Sequence, residues 1–105
     1  MAEVVNLSSA SPLVGTWGSS DEAGTTVQYT ISPTSSGYSV SATDTHDGEL
    51  GVVSNVRFQD GTLSFHVSWP STARTCQCRM RTLTRDEVEF TFTYTEREHL
   101  RRRAT

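Results

Sequence analysis

The cysteines of this chain, Cys76 and Cys78, stand one residue apart. In a strand, a C-x-C pair sends both thiols to one face, about 6.6 Å apart at a rise of about 3.3 Å per residue. The β-carbons of a disulfide sit about 3.8 Å apart, so the spacing predicts two reduced, buried thiols rather than a bridge. Two thiols without a second pair are too few for a zinc site. The sharper alternative is a redox pair or a pair lining a ligand. A second group of reactive side chains lies in Asp44-Thr45-His46-Asp47-Gly48-Glu49. Carboxylates beside an imidazole suit acid–base work or metal binding. No second histidine is near, so the run reads better as solubilising turn residues. His66 falls on the outward parity of its strand, and His99 lies near the C-terminus. There is no glycine-rich phosphate loop, nucleophile elbow or H-E-x-x-H helix. No metal and no cofactor is expected.

The elements that must carry these groups repeat with period two. Val88, Phe90, Phe92 and Tyr94 alternate with Glu87, Glu89, Thr91, Thr93 and Thr95. That is a strand with one dry face and one wet face. The same alternation places Val27, Tyr29 and Ile31 on one face. It does the same for Tyr38, Val40 and Ala42, for Leu63, Phe65, Val67 and Trp69, and for Cys76, Cys78 and Met80. For residues 50–58 it assigns Leu50, Val52, Ser54, Val56 and Phe58 to a common face. Residues 13–19 supply a further strand. Asp47-Gly48 and Asp60-Gly61 are hairpin turn pairs, because both types tolerate positive φ. Pro33 with Ser36-Gly37, Pro70 with Ser71-Thr72, and Arg85-Asp86 mark the other breaks. Threonine, serine and valine load the chain against helix. The expectation is an all-β, antiparallel up-and-down meander of seven or eight strands that closes into a small barrel. Residues 1–12 read as a flexible arm, 13–97 as the barrel, and 98–105 as a basic tail or a short edge strand.

With 105 residues the chain has room for one domain. Apolar residues make up 34% and charged residues 20%, and the apolar ones are spaced in order, which argues against disorder. Net charge is −3, so a nucleic-acid partner is not expected; there is no lysine, and every formal positive charge is arginine. Arg101, Arg102 and Arg103 read as a solvated terminal run. No apolar run reaches the roughly 18 residues of a membrane helix. The first residues lack a charged start and an apolar core, so they do not read as a signal peptide. A cytoplasmic protein without a membrane partner is the expectation.

The stretch Leu13-Val14-Gly15-Thr16-Trp17 resembles the Gly-x-Trp signature that opens calycin barrels, the lipocalin, fatty-acid-binding and avidin type. The resemblance implies that Trp17 plugs the closed end, with Arg97 or Arg101 packed over its ring. Seven strands leave Arg97 at the rim away from Trp17. Closure then needs a returning strand from residues 98–103; otherwise the barrel stays open and pairs with another copy as a homodimer. In a meander, loops 18–26, 45–49 and 70–73 share one rim, and a ligand mouth is expected there.

The inward aromatics favour a lipocalin-like module that binds an apolar or aromatic small molecule. Tyrosine O–H and tryptophan N–H groups inside a barrel need partners, and a ligand can provide them. The expected ligand-binding residues are Tyr29, Tyr38, Asp44, Phe65, Trp69, Cys76, Phe92 and Tyr94. One alternative is a small enzyme, an isomerase or cyclase, that uses Tyr29, Tyr38, Tyr94, Asp44 or Cys76 on an enclosed hydrophobic substrate. Another is an oligomeric interaction or regulatory subunit with a filled core, since eight strands are just wide enough for side chains to fill the interior.

Overall fold

A computed structural model describes residues 12–19 and 26–104. The expected N-terminal arm lies outside the described residues apart from Pro12, as does most of loop 18–26. The chain is all-β. Its strands are β1 (Gly15–Trp17), β2 (Val27–Thr34), β3 (Gly37–Asp44), β4 (Val52–Gln59), β5 (Thr62–Trp69), β6 (Arg74–Thr84) and β7 (Glu87–Thr95). Every pairing is antiparallel and between sequence neighbours. The meander is nevertheless divided into a sheet of order β1-β2-β3 and a sheet of order β4-β5-β6-β7.

This corrects the expected barrel: among the described residues neither sheet closes. The division falls at the corner after β3. Asp44 N–H donates to the Glu49 carbonyl at 2.8 Å, and Gly48 N–H donates to the Asp44 carbonyl at 2.7 Å. Thr43 then bridges Leu50, and Gly51 N–H reaches the Ala42 carbonyl at 2.9 Å. There the ladder ends and β4 leaves for the second sheet. The chain passes so close that a Cβ on Gly51 would lie 2.5 Å from Val67 Cγ1. No eighth strand forms among the described residues, and those after Thr95 have no regular structure.

The turns follow their chemistry. Asp60 (φ 53°) and Gly61 (φ 77°) both take positive φ in the two-residue β4–β5 hairpin, between paired Gln59 and Thr62. The Trp69 carbonyl accepts from Thr72 and Ala73 N–H in the β5–β6 turn. Pro33 does not break its strand. It pairs with Tyr38 inside β2, beyond the level where β1 ends at Gly15–Ile31, so its missing N–H costs no ladder bond on that side.

The face assignment of 50–58 also needs correction. Val53 pairs with Val67 and Phe58 with Leu63, but one extra residue sits on β4 between Ser54 and Arg57. Asn55 occupies the left-handed region there (φ 54°), which asparagine tolerates. The bulge moves the strand from one parity to the other. Val53 therefore packs against the core and Phe58 shares the face of Leu63 although it is itself exposed, while Leu50 and Val52 point away and are exposed. A second bulge, at Leu83, shifts the β6–β7 register between Thr82 and Thr84.

The sheets share one core. Leu63, Phe65 and Val67 are fully buried, joined by Ile31, Ala42, Tyr29, Leu13, Trp69, Cys76, Cys78 and Met80. Full burial of such a side chain stabilises by about 1.5–3 kcal/mol before entropy. Trp17 packs against this core and donates its indole N–H to the Leu13 carbonyl at 2.8 Å. The arginine that lies over an aromatic ring among the described residues is Arg74 on Tyr94, not Arg97 or Arg101 on Trp17.

Candidate functional site

Cross-strand pairing assembles an aromatic and thiol cluster on the inner face of the four-stranded sheet. Phe65 stands opposite Cys78, which stands opposite Phe92; Val67 stands opposite Cys76, which stands opposite Tyr94. From the other sheet, Tyr29 meets Phe65 at 5.7 Å and Phe90 at 4.8 Å between ring centres. The ring row then runs along β7, with Phe90 to Phe92 at 5.6 Å and Phe92 to Tyr94 edge-on at 5.3 Å. Cover thins out along this row. Phe90 is half-buried, while Phe92 and Tyr94 are 43% and 53% exposed. The Arg74 guanidinium lies 5.8 Å from the Tyr94 ring centre and pairs with Glu96 at 2.6 Å.

Tyr29 lies beside Cys78, while Tyr94 and Trp69 lie beside Cys76. No buried side-chain nitrogen or oxygen among the described residues is left unpaired. Both cysteines are free. Burial pushes the Cys78 thiol up to about 12, with Cys76 adding to the rise. Burial also raises Cys76, against the opposing pull of its neighbours Tyr94, Trp69 and Arg74. The phenols of Tyr29 and Tyr94 are raised for the same first reason, desolvation, with the cysteines adding to it. All four groups are neutral at physiological pH.

The residues singled out from sequence do not all meet. Tyr29, Phe65, Trp69 and Cys76 form the packed part of the cluster, and Phe92 and Tyr94 form its open margin. Tyr38 lies at the other end of the fold, edge-on to Phe58 at 5.2 Å. There Tyr38, Val56, Phe58 and Leu63 line an open cleft of about 260 Å³ with Thr34 and Gly37. Asp44 belongs to the corner between the sheets. Its Oδ1 accepts from Thr26 Oγ1 at 2.7 Å and from His46 N–H at 2.9 Å. Those bonds, the Thr26 one first, hold its carboxyl below the ordinary range. Glu49 accepts from Ser71 N–H and Oγ at 2.9 and 2.7 Å, which ties the corner to the β5–β6 turn. His66 Nδ1 lies 3.1 Å from Asn55 Nδ2, at the bulge. A second open groove, of about 210 Å³, runs between Arg79, Arg81, Glu89, Thr62 and Thr91 on the four-stranded sheet.

Sequence reasoning missed Glu96, which fixes Arg74 beside Tyr94, and Glu49 as the tie between turns. Neither sits in a recognisable motif; only pairing registers could have found them. No protein family, curated protein or solved structure matches the chain. The calycin resemblance therefore rests on the Gly-x-Trp stretch alone.

Proposed function

We propose that the protein is a small-molecule binding module that holds a flat apolar or aromatic molecule against the ring row of β7. The observation that carries this reading is the exposure of Phe92 and Tyr94 on a face otherwise used for the core. Contiguous exposed apolar surface beside a rigid framework marks an interaction site. Phe90, Phe92 and Tyr94 offer ring faces and edges for stacking, and Arg74 sets a charged boundary at one end. Recognition takes place on an open platform rather than in an enclosed lumen.

The enzyme alternative draws no support from the cluster. Its thiols and phenols are neutral, so they lack the charge of a base or nucleophile near pH 7. The alternative of an interaction subunit is favoured by a specific observation, the core filled by Phe65, Leu63, Val67 and Met80.

The platform is tested with 1-anilinonaphthalene-8-sulfonate as the probe. Its emission should rise on the native protein. A Phe92→Ser, Tyr94→Ser variant should bind it about tenfold more weakly or worse, a loss of roughly 1.4 kcal/mol, at nearly unchanged thermal stability. Equal affinity in the variant refutes the platform.

A further inference from the structure

We infer that a second copy of this chain pairs with the free edge of β7, antiparallel about a two-fold axis through Phe92, so that two ring rows join into one floor. The inference deepens the platform reading and rests on it for what the floor binds, but not for the pairing itself. The sheet edges differ in kind. β1 is three residues long, β4 is bent by the Asn55 bulge, and β3 is met at its end by Leu50. β7 is different. It runs nine residues, Glu87–Thr95, and contains no proline, glycine or lysine. One side of it pairs with β6; the other has no strand among the described residues. Long, regular edges of this kind are templates for another strand, and folds that stay monomeric usually blunt them.

The sequence of β7 then selects the partner and the register. A two-fold axis normal to the sheet keeps both inner faces on the same side, so facing residues must share parity. With Phe92 on the axis, Phe92 faces the partner's Phe92, and Phe90 faces the partner's Tyr94. On the outer face, Thr91 faces the partner's Thr93. At the first residue of the strand, Glu87 faces the partner's Arg97, two residues past the end of that strand, and the symmetry repeats that contact. Glu87 and Arg97 are both exposed and have no ion pair among the described residues. Moving the axis to Thr91 would oppose Asp86 to the partner's Glu96 and Arg85 to the partner's Arg97, with no opposite charges to offset them. In the Phe92 register the one like-charge contact, Asp86 with the partner's Glu98, lies outside the strands and is offset by Glu87 with the partner's Arg97. Moving the axis to Thr93 would oppose Glu89, already held by Arg81 at 3.0 Å, to the partner's Arg97. The Phe92 register alone among these joins two unpaired opposite charges while matching ring to ring and threonine to threonine, pairings that stabilise facing strands.

The experiment is sedimentation equilibrium of the full chain without added ligand, from about 1 to 100 μM, a range that brackets a micromolar interface. The native chain should be dimeric at the upper end. Glu87→Arg should weaken the dimer roughly tenfold, because it creates two like-charge cross-strand contacts. Arg97→Glu should do the same, and the double variant Glu87→Arg, Arg97→Glu should restore it. Both positions are exposed, so thermal unfolding at about 1 μM, where a micromolar dimer is largely dissociated, should not change. A monomer throughout the range, or a dimer indifferent to the charge swaps, overturns the inference. The two readings fail separately. A monomer that still binds the anilinonaphthalene probe through Phe92 and Tyr94 removes the pairing and keeps the platform. A charge-sensitive dimer without probe binding does the reverse.

Discussion

Replacing Gly51 with alanine tests the corner between the sheets. The added methyl would stand 2.5 Å from Val67 Cγ1, 3.3 Å from Trp69 Cη2 and 3.4 Å from Ala42 Cβ. Carbon contacts are comfortable at about 3.5–4.0 Å. Val67 and Ala42 are buried and belong to opposite sheets, so neither recedes without moving its strand. Two effects compete. Alanine removes freedom from the unfolded chain, worth about 0.4–1 kcal/mol in favour of folding. Overpacking a filled core costs about 1–3 kcal/mol. The second wins, with a net loss of about 1–2 kcal/mol. For a domain of this size that lowers the melting temperature by about 4–15 °C. Urea unfolding followed by tryptophan emission reads it directly, since Trp69 and Trp17 both pack at the core. In a Val67→Ala background the methyl has room, so the double variant should lose at least about 0.5 kcal/mol less than the sum of the singles. A Gly51→Ala protein whose urea midpoint equals or exceeds that of the native chain would refute the close approach of the two sheets.

Other outcomes follow from single contacts. Asn55→Val should cost about 1–2 kcal/mol in chemical denaturation, because a β-branched residue is strained at φ 54° and the contact with His66 is lost. The Cys78 thiol has its folded pKa raised to about 12, above its unfolded value, so the unfolded chain gives up the proton first. Stability should therefore be full below the ordinary thiol range and fall as pH climbs from there toward about 12. Melting temperatures across that window, compared with Cys78→Ala, check the sign: the variant should show the shallower decline.

Much of the fold is legible in the sequence because period two survives wherever a strand has one buried face. β5 is the clearest case: Leu63, Phe65, Val67 and Trp69 are all buried, with half-buried residues between them. Asp60-Gly61 set its hairpin through the φ values that those residues accept. The pattern misleads at residues 52–58, where one inserted position reverses the faces, and alternation read across a bulge cannot register the reversal. The split into two sheets is hidden for a related reason. A hairpin that opens at Asp47-Gly48 reads the same whether its strands stay paired or part after two rungs. The parting is marked by Gly51 held between Val67 of one sheet and Ala42 of the other, a packing that the local sequence does not record. For the candidate site, the ring row and the thiol pair are visible in alternation. The closeness of Cys78 to Tyr29, and of Cys76 to Tyr94 and Trp69, is not, because it depends on which strands lie opposite. Parity alone groups Asp44 with the rings; its bonds to Thr26 and His46 draw it into the corner instead.

The crossing at residues 45–51 is the one covalent passage between the sheets, and it makes them interdependent. A three-stranded ribbon whose outer member is three residues long is marginal in water. Its partner, stripped of Tyr29, Ile31 and Ala42, would leave Phe65 and Val67 wet. Neither half has a stable existence of its own, so backbone amides in β2 and β5 should exchange with solvent through one shared opening event. A fragment ending before residue 52 would be an unstructured peptide, and a partly melted intermediate would have nothing to hold it together.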